Sequence, residues 1–187
     1  MPDERSAQAA APAARQPFGM YRICLVCLGN ICRSPMAEVL LREEVARAGL
    51  AGAVTVESAG TGDWHIGHPM YGRARAELAR RGYDGSAHRA RQVQRAWLAG
   101  YDLVLAMDAD NLADLQAMAP DAETAGRVRL LRWFDPGLTP GDPYRGEVPD
   151  PYGGSPEDFA VVFDLLQAAA RGLVSRLAEV VPAAGRA

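Results

Sequence analysis

The chain of 187 residues has no lysine and no apolar run long enough to cross a bilayer. Because a membrane-spanning helix needs ~20 consecutive apolar residues, we expect no membrane partner. All 20 basic residues are arginine, they are spread along the chain, and the formal net charge is −3. A general nucleic-acid binder usually has a basic surface, so the composition also argues against a nucleic-acid partner.

Cysteine is scarce and confined to one short segment. Cys24, Cys27 and Cys32 fall within nine residues. A secreted domain held by disulfides would have an even number of cysteines distributed along the chain. Residues 1–19 also lack the apolar core of a signal peptide. We therefore expect a cytoplasmic protein, in which clustered cysteines are more often catalytic or metal-binding than structural.

The chain divides into a short leader and one domain. Residues 1–19 are rich in alanine, proline and glutamine and show no sustained apolar period, so we expect them to be a disordered leader. Residues 20–187 have ordinary globular composition and are numerous enough to bury a core without disulfides or metals. We expect them to form a single domain.

Strand and helix patterns alternate within that domain. Apolar runs predict strands at residues 22–26, 54–58, 102–107 and 127–131, and helical spacing predicts helices at 35–49, 70–82, 92–99 and 109–118 and a final helix after Ser155. Such alternation is typical of a three-layer α/β fold, in which a four-stranded parallel sheet is flanked by helices. Ligands in these folds bind at the carboxyl ends of the strands.

The segment CLGNICRSP, residues 27–35, joins the first predicted strand to the first predicted helix. Gly29 and Asn30 tolerate left-handed backbone angles, which would let a short loop turn its N–H groups inward. Together with the start of the helix, these groups would form a cradle for phosphate, and Arg33 would add a two-pronged donor. The positive electrostatic potential of these N–H groups, the helix start and Arg33 would favour the thiolate form of Cys27. The segment therefore predicts attack of sulfur on phosphorus.

The segment VCLGNICRSP resembles, almost residue for residue, the signature loop of the low-molecular-weight protein tyrosine phosphatases. The resemblance extends over about residues 21–181 and includes SAGT at 58–61, ARQ at 90–92, MDxxN at 107–111 and VPDPYG at 148–153. It implies a flavodoxin-like fold and a protein tyrosine phosphatase that uses no metal or other cofactor. Its partners would be phosphotyrosine-containing proteins, and the enzyme would be a monomer or a weak dimer.

The resemblance implies a role for each residue of the loop. Cys27 would be the nucleophile that becomes phosphocysteine, Arg33 would bind the phosphoryl oxygens, and Ser34 would hydrogen-bond the departing thiolate. The loop residues that would bind the substrate phosphate are Leu28, Gly29, Asn30, Ile31, Cys32 and Ser34.

Other residues would support this loop. By the same resemblance, Asn30 would hold its shape through hydrogen bonds with Ser58 and His88. Cys32 would form a reversible disulfide with Cys27 and protect it from further oxidation.

A phenolate leaving group needs a proton, and Asp150 in the segment PDPYG matches the acid of the family. The same carboxylate would later activate water. A second Asp-Pro-Tyr begins at Asp142, eight residues earlier. We favour Asp150 because Val-Pro precedes it and the Ser-Pro that opens the final helix follows at the spacing of the family.

The resemblance places two aromatic residues, Trp64 and Tyr152, beside the mouth of the pocket, where they could hold a phenyl ring. Many relatives have a second tyrosine after the position of Tyr152, and Gly153 stands there in this chain. With glycine at this position, the sequence does not identify the side chain that would form one wall of the pocket.

Three alternatives stay open. An arsenate reductase of the same fold would need more redox cysteines, and none follows Cys32. A protein-arginine phosphatase of this family typically has threonine where Ile31 stands. A non-catalytic phosphate-binding module is disfavoured because Cys27, Arg33 and Asp150 are all present.

Overall fold

A computed structural model describes residues 19–181, so all of the predicted leader except Gly19 lies outside the described residues. The core element is a parallel sheet of four strands, β1 (Tyr21–Cys27), β2 (Val54–Gly60), β3 (Leu103–Ala106) and β4 (Val128–Leu130), in the order β2-β1-β3-β4. Ile23 of β1 lies opposite Val56 of β2 and Leu103 of β3. The predicted α/β fold with a four-stranded parallel sheet is confirmed.

Helices connect the strands. They are α1 (Arg33–Arg47), α2 (Gly72–Arg80), α3 (Arg95–Leu98), α4 (Ala109–Met118), α5 (Ala122–Ala125) and α6 (Pro156–Val180), with a 3₁₀ helix at Leu131–Phe134. The start of α6 follows from its sequence, because Ser155 accepts from the Asp158 N–H and the Asp158 carboxylate accepts from the Ser155 N–H. None of the helices within residues 19–181 is long and apolar enough to cross a membrane.

Two short regions differ from the predicted pattern. The helix expected at 92–99 is reduced to α3, because the Val93 N–H donates to the Gly60 carbonyl (2.8 Å) and keeps the preceding backbone extended. The strand expected at 127–131 ends at Leu130, and Leu131 begins the 3₁₀ helix. Helix α5 was not predicted, since only one turn follows its capping residue Asp121.

Helices cover both faces of the sheet. Alternate residues of β1 point to opposite sides, as the strand geometry requires. Ile23 and Leu25 join the apolar cluster that includes α1, α2 and α6, whereas Cys24 and Val26 join the cluster that includes α3 and α4. Both faces of the central strand are therefore buried, which explains its nearly continuous apolar sequence.

The order of the strands fixes where a ligand can bind. β1 leads to α1 on one face of the sheet, while β3, its neighbour, leads to α4 on the other face. The connections diverge at this edge and leave a crevice at the carboxyl ends of β1 and β3. Cys27 is the last residue of β1 and lies at this crevice.

Candidate active site

The loop after β1 is folded around the sulfur of Cys27. The Asn30 N–H donates to Cys27 Sγ at 3.2 Å, and Ser34 Oγ lies 3.1 Å from the same sulfur. The Ser34 hydroxyl has a second acceptor within reach, the Ala59 carbonyl of β2 at 3.2 Å. Cys27 is almost fully buried and forms no disulfide. The sulfur therefore accepts from the Asn30 N–H and lies within hydrogen-bond distance of the Ser34 hydroxyl, at the start of α1, where a negative charge is stabilised.

Asn30 organises the loop. Its φ of 54° is left-handed, and its amide Nδ2 donates to Ser34 Oγ and to Ser58 Oγ, both at 2.9 Å. Its side-chain oxygen accepts from the Arg91 N–H at 2.9 Å, and its carbonyl lies 2.7 Å from His88 Nε2. The structure thus brings Ser58 and His88 to Asn30, and every polar atom of the Asn30 side chain has a partner.

Gly29 in the loop and Gly60 at the end of β2 allow other atoms of the site to approach closely. Of the two loop residues that tolerate left-handed backbone angles, only Asn30 adopts one, and no other residue of 27–35 has a positive φ. A Cβ on Gly29 would instead lie 3.0 Å from the His65 ring. At the end of β2, a Cβ on Gly60 would lie 2.7 Å from the Leu28 carbonyl. Side chains at these two positions would push the loop away from its supports.

Arg33, the first residue of α1, is buried and held by two carboxylates. Its Nη1 donates to Asp108 Oδ2 (2.5 Å) and to the Val148 carbonyl (3.2 Å), and its Nη2 donates to Asp150 Oδ2 (3.0 Å). Burial by itself would lower the pKa of Arg33, but the negative charges of Cys27, Asp150 and Asp108 outweigh it and leave the pKa above its ordinary value. The guanidinium is a permanent cation beside the sulfur.

Asp108 is a residue whose position at the site the sequence did not reveal. Its Oδ1 accepts from the Asn111 N–H at 2.8 Å and caps the start of α4, which is the usual role of an aspartate at such a position. Its second oxygen holds Arg33, 75 residues earlier in the chain. The segment MDxxN contained the signal, but a capping role was enough to explain it.

A cavity of about 170 Å³ opens above the loop. Its lining residues are Cys27, Leu28, Gly29, Ile31, Cys32, Arg33, Trp64, His65, Asp150 and Tyr152. Asn30 and Ser34 lie behind this lining and contact the sulfur from below. Of the lining residues, only His65 was not among the candidate site residues, because nothing in its local sequence distinguishes it from a loop histidine.

The two Asp-Pro-Tyr segments have different surroundings. Asp150 lines the cavity, and its Oδ1 accepts from the Tyr152 N–H at 3.1 Å. Asp142 is not part of the cavity, and its two oxygens accept from the Arg132 guanidinium at 2.9 Å each. Of these two carboxylates, Asp150 is therefore the one that faces the cavity.

The aromatic walls differ in their support. Trp64 is 66% exposed, whereas Tyr152, although 59% exposed, lies on a series of rings that leads into the core. Its ring centroid is 5.2 Å from that of Tyr71, which stacks at 5.8 Å on Phe159 of α6. The next residue, Gly153, has a φ of 76°, which a tyrosine would adopt only with strain. Glycine fits this backbone without strain, whereas a second tyrosine would not.

Cys32 lies beside the reactive loop as a buried, free thiol. Burial, and then the nearby charges of Cys27 and Asp150, raise the pKa of Cys32 to about 12. Cys32 is therefore a protonated thiol at neutral pH. Within residues 19–181 no three His, Cys, Asp or Glu side chains cluster as metal ligands would.

The burial of His88 predicts a pH-dependent stability. Burial lowers the pKa of His88 below its ordinary 6.5, more than the hydrogen bond to Asn30 raises it. The unfolded chain therefore binds this proton more readily, so the contribution of His88 is fully present above the ordinary pKa and is lost as the pH falls through the folded-state pKa. We expect the free energy of unfolding, measured by urea titration, to fall as the pH is lowered from neutral through the ordinary histidine pKa of 6.5 and below it.

His88→Gln should make this decline shallower, because the glutamine amide can still donate to the Asn30 carbonyl but does not titrate. His68→Gln, at an exposed position, is the matched control and should keep the slope of the unmodified protein. An identical decline in His88→Gln and the unmodified protein would contradict the assignment.

Comparison with known proteins agrees with this geometry. The family model described as low molecular weight phosphotyrosine protein phosphatase matches residues 22–183. A low molecular weight protein-tyrosine-phosphatase of Streptomyces coelicolor is 47% identical over 161 residues, which are 86% of this chain and 96% of that protein.

Solved structures are similar as well. The protein tyrosine phosphatase of Entamoeba histolytica, with Hepes in its active site, superposes with a TM-score of 0.79 at 31% identity and covers 85% of this chain and 97% of its own. Vibrio vulnificus Wzb in complex with benzylphosphonate has a TM-score of 0.70 at 29% identity, with 85% and 100% covered. The chain therefore belongs to the low-molecular-weight phosphotyrosine protein phosphatase family.

Proposed function

We propose that this protein hydrolyses phosphotyrosine in proteins, and other aryl phosphate monoesters, through a phosphocysteine intermediate. The observation that carries the proposal is the convergence of three groups on one cavity: the sulfur of Cys27 at its floor, the guanidinium of Arg33 and the carboxylate of Asp150. A nucleophile, a cation for oxyanions and an acid are the groups that phosphoryl transfer to sulfur requires.

In the first step, the Cys27 thiolate attacks phosphorus and the bond from phosphorus to the phenolic oxygen breaks. The N–H groups of the loop and the Arg33 guanidinium stabilise the three equatorial oxygens of the phosphoryl group, which share its negative charge in the transition state. Asp150 in its protonated form donates its proton to the leaving oxygen, so that tyrosine departs as a neutral phenol. The products are phosphocysteine and an Asp150 carboxylate.

In the second step, the Asp150 carboxylate takes a proton from a water molecule that attacks the phosphocysteine. The phosphorus–sulfur bond breaks, inorganic phosphate leaves, and the thiolate of Cys27 is restored. The Ser34 hydroxyl, 3.1 Å from the sulfur, donates to the departing thiolate and lowers the cost of its charge. Asp150 is again protonated and ready for the next cycle.

The shape of the cavity supports phosphotyrosine over shorter phosphoamino acids. Cys27 is 3% exposed, and the rings of Trp64 and Tyr152 are exposed beside the same cavity, so the phosphate of an aryl ester can reach the sulfur while its ring stacks on the rim. Wzb of Vibrio vulnificus, a structural relative, was solved with benzylphosphonate, which has an aromatic ring linked to a phosphorus oxyanion. Ile31 on the cavity wall also favours the phosphotyrosine branch of the family over its arginine-phosphatase branch.

The proposal is tested by comparing substrates with the purified full-length chain in EDTA. Phosphate release from a phosphotyrosine peptide should far exceed release from the same peptide carrying phosphoserine or phosphoarginine. Faster release from phosphoarginine would favour the arginine-phosphatase alternative, and thioredoxin-dependent reduction of arsenate would favour the reductase. No turnover of any phosphate monoester would indicate a binding module.

We also propose that Cys32 protects the nucleophile. Hydrogen peroxide oxidises the Cys27 thiolate to a sulfenic acid and is itself reduced to hydroxide, the only other product, as its oxygen–oxygen bond breaks. The Cys32 thiol then attacks the sulfenic sulfur, the sulfur–oxygen bond breaks, and one water molecule leaves as the disulfide forms. A thiol reductant would return both cysteines to the free state.

The expected result is that mild peroxide inactivates the protein reversibly, and that Cys32→Ser loses most of the activity that dithiothreitol otherwise restores. Recovered activity, expressed as a fraction of each variant's own starting activity, is the measurement. Cys24→Ser is the matched control, because Cys24 is equally buried but packs on the opposite face of the sheet from the α1 cluster. Equal recovery in Cys32→Ser and the unmodified protein would remove Cys32 from this role.

A further inference from the structure

The second Asp-Pro-Tyr segment has a buried partner that the proposed reaction does not use. Arg132, in the 3₁₀ helix after β4, donates through Nη1 and Nη2 to the two oxygens of Asp142, each at 2.9 Å. Arg132 is 3% exposed and the Asp142 side chain 11%. Two parallel bonds between a planar guanidinium and a carboxylate fix orientation as well as distance.

Arg132 and Asp142 also form hydrogen bonds with the backbone that leads to Asp150. Arg132 Nη1 donates to the Glu147 carbonyl at 3.1 Å, and Asp142 Oδ2 accepts from the Gly146 N–H at 2.8 Å. Between these contacts, Arg145 and Gly146 have φ values of 53° and 78°. Consecutive left-handed residues, one of them not glycine, are costly unless the surroundings hold them. The pair supplies those contacts.

From Glu147 the chain runs directly into the cavity. Val148 is completely buried, its N–H donates to the Met107 carbonyl at 2.7 Å, and its own carbonyl accepts from Arg33 at 3.2 Å. Asp150 follows two residues later and accepts from Nη2 of Arg33, whereas the Val148 carbonyl accepts from Nη1. The backbone from 142 to 150 is therefore tied at Gly146, Glu147 and Val148, and Asp150 projects from its last fixed point.

We propose that the pair formed by Arg132 and Asp142 is a positioning device for Asp150. This inference rests on the proposed role of Asp150 as the acid. Without the charge of Asp142, Arg132 loses the carboxylate that accepts two of its hydrogen bonds. The Arg132 guanidinium is then less fixed in position, and its hydrogen bond to the Glu147 carbonyl is weakened. Asp150 then spends less time where it can protonate the leaving oxygen, whereas Cys27 and the loop around it stay unchanged.

The leaving group separates this role from a contribution to stability. A phenol that is a weak acid departs only when protonated, so its turnover depends on where Asp150 lies, whereas 2,4-dinitrophenolate departs without a proton. The kinetic constant to compare is kcat/KM, because it covers the steps up to departure of the phenol. We expect Asp142→Asn to lower kcat/KM for phenyl phosphate about 10-fold and to change it little for 2,4-dinitrophenyl phosphate.

A double-mutant cycle supplies the decisive comparison. In an Asp150→Asn background there is no acid left to position, so adding Asp142→Asn should cause no further loss with phenyl phosphate. Glu77→Gln is the matched control, because Glu77 is a similarly buried carboxylate held by Arg80 and Arg81 on α2, away from the cavity. It should lower the melting temperature without changing the ratio of the two kcat/KM values.

Each outcome decides one question. An equal loss for both substrates, or the same loss from Asp142→Asn in both backgrounds, would overturn the positioning role and leave only a structural one. If Asp150→Asn itself leaves the ratio of the two substrates unchanged, the assignment of the acid fails instead. If Asp142→Asn does not fold, Arg132→Lys provides the same test, since lysine keeps the charge but cannot bind both Asp142 oxygens and the Glu147 carbonyl.

Discussion

Cys27→Ser is expected to remove turnover while leaving phosphate binding intact. A serine hydroxyl at this position stays protonated and is a far weaker nucleophile than a thiolate, so turnover should fall by more than ~10⁴-fold. The proposed donors to the oxyanion are loop N–H groups and Arg33, and a serine hydroxyl at position 27 still leaves an acceptor for the Asn30 N–H that donates to the sulfur. Hydrolysis of p-nitrophenyl phosphate measures the loss.

Retained binding is measured by the rise in melting temperature on addition of inorganic phosphate, since a ligand that binds only the folded chain stabilises it. Cys24→Ser controls for the replacement of a buried thiol in the same strand, and should keep turnover in the folded protein. Steady-state hydrolysis by Cys27→Ser above a buffer blank would show that sulfur is not the nucleophile.

Asp150→Asn is expected to make turnover depend steeply on the leaving group. The amide of asparagine cannot donate a proton to a phenolate and cannot accept one from water. We expect kcat/KM for phenyl phosphate to fall about 10²-fold, in line with the usual contribution of a positioned acid, and that for 2,4-dinitrophenyl phosphate to fall far less. A series of substituted phenyl phosphates, plotted against the acidity of the phenol, is the measurement.

The same substitution should tighten the binding of phosphate. Asp150 lies 3.0 Å from Arg33 Nη2 in the free protein, so it competes with the oxyanion for the guanidinium. Asp63→Asn is a suitable control, because it removes an exposed negative charge two residues from His65 at the cavity without touching Arg33. An unchanged dependence on the leaving group in Asp150→Asn would mean that another group supplies the proton.

These two expectations follow from one electrostatic arrangement. In the free protein the Arg33 fork is satisfied by Asp108, by Asp150 and by the Val148 carbonyl. An arriving phosphate can take the place of Asp150 without leaving a buried cation unpaired, because Asp108 remains. The displaced Asp150 carboxyl would then lie beside the bound phosphate, where the proposed acid is required.

The sequence by itself determined the elements that depend on neighbouring residues. The order Cys27, Asn30, Arg33 and Ser34 lies within one strand–loop–helix segment, so local backbone preferences and the start of a helix were enough to predict a cradle for an oxyanion. The capping residues of α6 and the apolar runs of the strands acted over equally short distances. The family resemblance then added roles for Asp150, Ser58 and His88.

Only the tertiary structure decided which residues from distant segments meet. The two Asp-Pro-Tyr tripeptides are identical, and the structure separates them by their partners. Asp150 accepts from Arg33, which lies 117 residues away in the chain, whereas Asp142 accepts from Arg132, which lies 10 residues away. The contacts of Asp108 with Arg33, of His65 with the cavity and of Tyr71 with Tyr152 likewise join segments that the strand order brings together. Such contacts are set by topology and burial, and neither is encoded in the spacing of a single segment.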